Sequence, residues 1–139
     1  MPNLNKLAEE SVLFEQTYVT QPVCQASRAT ILTGLYPHTT GVGTGHIYET
    51  LKEETPCLPE MVESDHVCAH YGKWHLGDDV FAQHGFDDWA MWTGFETGNE
   101  VSAERYQDAY INTPTDGSRT YAGEFGPDIY TDHLINFMR

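Results

Sequence analysis

The sequence predicts an α/β chain, and three observations carry that reading. Helix patterns fall at residues 3–9, 26–33, 55–63 and 128–139, strand patterns fall between them at 12–18 and 66–71, and the 139 residues are one domain's worth of chain at most. No segment is apolar and long enough to span a membrane.

Taken in order, Asn3 is placed to cap a short helix whose apolar face is Leu4, Leu7 and Ala8. Val12 and Phe14 alternate with polar residues, as in a short strand leading to Tyr18. Gln21 to Cys24 reads as a loop into a helix over Ala26 to Thr33, with apolar Ala29 and Leu32 one turn apart. Gly34 follows as a helix-ending residue, and Pro37 stands where the helix cannot continue. Thr39 to Gly45 holds three glycines and reads as a loop; no Gly-Lys-Ser/Thr follows, so it is not a phosphate-binding loop. Thr55 to Glu63 reads as a short helix with Pro56 near its start.

His66 to Tyr71 reads as a strand with Val67, Ala69 and Tyr71 on one face. If the extended backbone continues through Trp74, Lys73 and His75 share a face and Trp74 points the other way. Phe81, Phe86, Trp89, Trp92 and Phe95 read as core. Glu96 to Gly126 is polar and glycine-rich without clear periodicity, and reads as substrate-facing loops. Asp128 to Arg139 is helical in pattern, with Tyr130, Leu134, Phe137 and Met138 on one face.

A formal net charge of −14 argues against nucleic acid and against anionic membrane surfaces as partners. Among only seven Lys and Arg residues, Arg28 and Lys73 stand close to Cys24 and His75 in sequence, a mild hint of an anion site. Cys57 and Cys68 read as two half-buried free thiols; pairing in an oxidising compartment is the other reading. Asp78-Asp79, after Gly77, and Asp87-Asp88 read as solvated turns, and His38 and His46 as structural or loop residues. His66, His70, His84 and His133 have no motif around them.

Cys24 stands at or just before the first turn of its helix, where unpaired N–H groups favour negative charge. Arg28, four residues on, shares its face. A nucleophile beside a fixed cation at a helix start suits an anionic substrate.

Cys24-Gln25-Ala26-Ser27-Arg28, followed by Ala29 to Gly34, resembles the sulfatase signature Cys-x-Pro-x-Arg with a later Thr-Gly, Ala26 taking the proline's place as in a minority variant. Tyr71-Gly72-Lys73-Trp74-His75-Leu76-Gly77 is similar to that family's second signature, Gly-Lys-x-His. Residues 2–8 resemble the helix before the nucleophile, and residues 36–42 the loop after it.

The resemblance implies an alkaline-phosphatase-like α/β sandwich, with a mixed, mostly parallel sheet flanked by helices on both faces. On it, residues 1–139 are the N-terminal portion of a catalytic domain truncated at both ends, and inactive alone. It implies sulfate-ester hydrolysis through formylglycine made from Cys24 by a maturation enzyme, and Ca²⁺ bound partly through that residue. The remaining metal ligands would lie outside this chain.

The resemblance also gives each matched residue a role. Arg28 holds the nucleophile, Lys73 bridges it to sulfate and His75 moves its proton. A sulfated small molecule or glycan is the implied substrate, and a periplasmic or secreted location is favoured, although residues 1–15 lack the charged start and apolar run of an export signal. Two alternatives stand beside this reading: a phosphonate or phosphate ester hydrolase of the same superfamily, and a non-enzymatic binding relative.

Overall fold

The computed structural model describes residues 1–45, 49–62, 64–77, 83–93 and 104–139. The expectations for His46, Asp78-Asp79, Phe81, Phe95 and residues 96–103 lie outside the described residues. In chain order the elements are α1 (Pro2–Glu9), α2 (Cys24–Thr33), α3 (Pro37–Thr40), α4 (Leu58–Met61), β1 (Ala69–Gly72), β2 (Asp88–Trp92), β3 (Tyr110–Thr113), β4 (Gly117–Thr120) and α5 (Gly126–Phe137).

The four strands form one sheet in the order β1-β2-β3-β4. β1 and β2 run parallel, with Ala69 opposite Asp88 and Gly72 opposite Met91. The β2–β3 and β3–β4 pairs are antiparallel. The sheet is therefore mixed as expected, with one parallel pair among the described strands. Successive residues of a strand face opposite sides, and β2 divides the core accordingly. Met91 packs with Ala29 of α2, Val42, Leu51, Cys57, Trp74 and Leu76, with Leu32, Phe86 and Trp89 against them. Ala90 packs on the other side with Ala109, Ile111, Tyr121 and Ile129 of α5. So α2 and α5 cover opposite faces of one sheet. On the α5 side, Tyr71 also meets the rings of His133 and Phe137 at 5.9 and 6.2 Å.

Several expectations are corrected. Met1 rather than Asn3 stands at the start of α1, with Pro2 in the first turn, where a missing N–H costs nothing. Residues 12–18 form no strand; Val12, Phe14 and Tyr18 are exposed, and a strand needs a neighbour for its backbone donors that β1–β4 do not provide there. Pro37 does not only end a helix: it opens the single turn of α3. The helix expected at 55–63 shrinks to the one turn of α4, capped by Cys57, with Pro59 in its first turn. The strand expected from His66 begins at Ala69, with Val67 exposed.

The stretch from Glu96 to Gly126 is not all loop. From Tyr110 it holds the β3–β4 hairpin, which turns at residues 114–116 and buries Ile111, Asn112 and Thr113. Asp88 is a strand residue rather than a solvated turn, and its carboxylate accepts the Tyr71 hydroxyl at 2.5 Å. Burial and that carboxylate both raise the tyrosine's pKa. Cys57 is fully buried and Cys68 half-buried; both are free thiols.

Candidate active site

The site is built on the start of α2. Val23 is still extended, with φ −124° and ψ 134°, so the helix opens at Cys24 and leaves that thiol exposed. Among the described residues no side chain caps this end; its first-turn amides favour negative charge beside the sulfur. At the other end Gly34 adopts φ 69° and returns its N–H to Thr30 O at 2.9 Å, the left-handed ending its sequence position predicts. Arg28 reaches back one turn and donates from Nη1 to the Cys24 carbonyl at 2.9 Å, bringing its guanidinium to the helix start.

His75 arrives from 51 residues further along. Its ring is buried, and Nδ1 lies 3.6 Å from Cys24 Sγ. The backbone that carries it is not the extended run expected from β1. Gly72 has φ 116° and His75 has φ 59°, so the strand ends and the chain turns. A non-glycine residue held there costs on the order of 1–3 kcal/mol, which the surrounding packing must offset. That packing is Trp74, 1% exposed, and Leu76, whose carbonyl accepts the Leu51 N–H at 2.8 Å.

The turn also separates Lys73 from His75. Lys73 Nζ lies over the Trp92 ring, 5.5 Å from its centroid, and Lys73 is not among the residues lining the pocket beside Cys24. Of the four predicted residues, the structure brings Cys24 and His75 together in the pocket lining, sets the Arg28 guanidinium on the Cys24 carbonyl outside that lining, and leaves the Lys73 ammonium on the aromatic face.

The pocket beside Cys24 is open, about 210 Å³, and is walled by Gln25, His75 and the Gly43–Gly45 loop. That loop is pinned by Glu49. Its carboxylate accepts the N–H groups of Gly43, Thr44 (2.9 Å) and Gly45 (2.9 Å) and the Thr44 hydroxyl (3.2 Å). Gln25 ties the loop to α2 by donating to the Glu49 carbonyl. Its Oε1 is buried without a hydrogen-bond partner among the described residues. Sequence reasoning missed Gln25 and Glu49. The signal was present in a glycine-spaced loop followed by a carboxylate, but nothing in it told which amides that carboxylate would take.

His70 lies behind the site, its Nε2 3.3 Å from the Lys73 carbonyl and its ring against Trp74 and Phe86. Burial holds its pKa below the usual histidine range despite that bond. His38 is exposed and stacks on Tyr36, a local role as expected.

Gly43 meets α2 closely. A Cβ there would fall 2.5 Å from the Ala26 Cβ, and its φ is 82°. Gly43→Ala is therefore expected to shift the loop away from Cys24 and to destabilise the fold by about 1–3 kcal/mol, read as a lower denaturant midpoint with unchanged slope.

Comparison with known proteins completes the description. The family model described as Sulfatase matches residues 1–138. The chain is 28% identical over 139 residues to an N-acetylglucosamine-6-O-sulfatase of Bacteroides thetaiotaomicron, covering 99% of this chain and 23% of that protein. It is 33% identical over 115 residues to an ulvan-active sulfatase of Formosa agariphila, covering 77% of this chain and 22% of that one. A structure solved in complex with its substrate D-glucosamine-2-N,6-O-disulfate superposes with TM-score 0.76 at 25% identity, over 99% of this chain and 26% of that one. The chain thus spans about a quarter of the length of each of these relatives.

Proposed function

Because the chain belongs to the sulfatase family, we propose that the protein containing it hydrolyses a sulfate ester, with the residue at position 24 as nucleophile. The observation that carries this is the approach of His75 Nδ1 to Cys24 Sγ, 3.6 Å across 51 residues, at the open end of α2. A sulfated amino sugar or glycan is the substrate class, supported by the names and bound substrate of the relatives. A periplasmic or secreted location follows from the family reading; among the described residues no helix is long and apolar enough to cross a membrane.

The family implies that Cys24 is converted to formylglycine by a maturation enzyme. Sγ then marks where an oxygen of the hydrated aldehyde stands. His75 faces that position, so it orients the hydrate, and takes its second hydroxyl proton as the aldehyde re-forms and sulfate leaves. Arg28 holds the helix start through the residue-24 carbonyl and offsets negative charge on the nucleophile. Lys73 contacts the sulfate oxygens, which requires its flexible stem to swing from the Trp92 face. The glycine loop is closed to anions on its Glu49 side, because that carboxylate already fills the amides.

Bound Ca²⁺ would withdraw charge from the sulfate oxygens. It takes about six to eight oxygen ligands. Beside Cys24 the described residues offer the unpartnered Gln25 Oε1, and Glu49 is committed to the loop amides. These residues do not form a calcium cage by themselves, and its further ligands are assigned outside this chain.

The test is turnover by the full-length protein on a sulfate ester and a phosphate ester of the same aryl alcohol, and on N-acetylglucosamine 6-sulfate. Preference for sulfate supports the reading. Preference for phosphate assigns the sister activity, and absence of both, with Cys24 left as a thiol, assigns a binding relative.

A further inference from the structure

Away from the Cys24 pocket, three side chains of different chemistry converge between α4 and the segment leading into β2. Cys57 is fully buried and caps α4. Glu60 accepts the Cys57 N–H at 2.8 Å through Oε2. His84 has a side chain only 3% exposed, and its Nδ1 lies 3.6 Å from the same Oε2. One ligand atom from each lies within 4.8 Å of the others.

A 3.6 Å separation is too long for a hydrogen bond between nitrogen and oxygen. It is close to the edge of a coordination tetrahedron: Zn–N and Zn–O bonds of about 2.0–2.1 Å set N and O roughly 3.3 Å apart, and a Zn–S bond of about 2.3 Å sets sulfur roughly 3.6 Å from each. We propose that Cys57, Glu60 and His84 form a metal site, separate from the catalytic one, for a borderline-soft divalent cation, Zn²⁺ being the ion this sulfur, oxygen and nitrogen set suits.

The surroundings fit that role. Gly85 packs directly on α4, where an added Cβ would meet Glu60 Cγ at 2.9 Å, so the segment carrying His84 is held against Glu60. The Trp74 ring lies 6.0 Å from the His84 ring and closes the inner side. Glu60 keeps about a third of its side chain exposed, which leaves a path for the ion and room for a water as fourth ligand. A carboxylate has about four acceptor positions, so the Cys57 amide and a metal can share it.

Binding exchanges one proton: the Cys57 S–H bond breaks, sulfur–metal coordination forms, and the proton leaves to solvent. Burial, and then the nearby Glu60 charge, push the free thiol up to about 11. Without metal the thiol is therefore protonated and inert at neutral pH. Because coordination releases that proton, metal binding should strengthen as pH rises.

The probe is Co²⁺, titrated into full-length protein stripped with a chelator. The protein carries Cys24→Ala, so that no thiolate remains at the catalytic position. One equivalent is expected to produce a near-ultraviolet thiolate-to-cobalt band, erased by Zn²⁺. Cys57→Ser should abolish the band, and His84→Gln and Glu60→Gln should each weaken binding on the order of 100-fold. Cys68→Ser should leave it intact. Absence of the band in the parent protein overturns the site outright, as does its survival in Cys57→Ser or its loss in Cys68→Ser. If Cys57→Ser does not fold, unchanged cobalt affinity in the two volume-conserving glutamine variants overturns it equally.

Discussion

Cys24→Ala in the full-length protein is expected to abolish sulfate-ester turnover, a loss on the order of 10⁴-fold or more, while leaving thermal unfolding almost unchanged. The two halves of that expectation have separate causes. The thiol is exposed at the first turn of α2 and belongs to neither apolar core, so its removal opens no cavity. On the proposed mechanism it is also the precursor of the nucleophile, whose loss His75 and Arg28 cannot replace. Peptide mass spectrometry of the active protein should show an aldehyde in place of the residue-24 thiol. An active protein carrying only unmodified thiol there would remove formylglycine from the mechanism, and turnover surviving in the alanine variant would remove position 24.

What was legible in the sequence follows from how local each signal is. The start and end of α2 could be read because its cap glycine, its apolar pair and the one-turn spacing of Cys24 and Arg28 are all decided within a dozen residues. α5 was legible as a helix, but its buried positions are Gly126 and Ile129, whereas Leu134, Phe137 and Met138 of the expected face are exposed. The β3–β4 hairpin was missed although Asp116-Gly117 marks its turn, because its buried positions include Asn112 and Thr113, which carry no apolar alternation. Asn112 is satisfied there by bonds to Trp89 Nε1 and Ser118 Oγ, partners no local pattern reveals.

The motif Gly72 to His75 was legible as a unit but its geometry was not. Period-two reasoning assumed continued extension, whereas positive φ at Gly72 and His75 turns the chain so that Trp74 and His75 are both buried. The cluster lay furthest from reach, since Cys57 and Glu60 are neighbours in one turn but His84 joins them only through tertiary packing, including Gly85 on α4 and the Trp74 ring.

Lys73 and His75 are expected to fail differently when replaced, and the geometry says why. His75 faces the nucleophile, with Nδ1 3.6 Å from Sγ, so it acts after substrate is bound. His75→Ala should lower kcat by about 10²–10⁴-fold with a smaller change in KM. Covalent sulfate–enzyme should accumulate, because the step His75 assists is expulsion of sulfate. The variant also exchanges a buried ring for a methyl group and a left-handed histidine for a left-handed alanine. His75→Asn, which tolerates that backbone better, separates lost chemistry from lost fold. Lys73 instead meets the substrate's charge in both ground and transition states. Lys73→Ala should remove a charge-assisted hydrogen bond worth about 1.5–3 kcal/mol, raising KM as well as lowering kcat. The Trp92 ring beneath its ammonium should become more accessible to a fluorescence quencher. Unchanged kcat and no trapped intermediate in both His75 variants would take the proton-transfer role from His75. Wild-type kinetics in Lys73→Ala would mean that its ammonium stays on Trp92 during turnover, and that the sulfate is held by another cation.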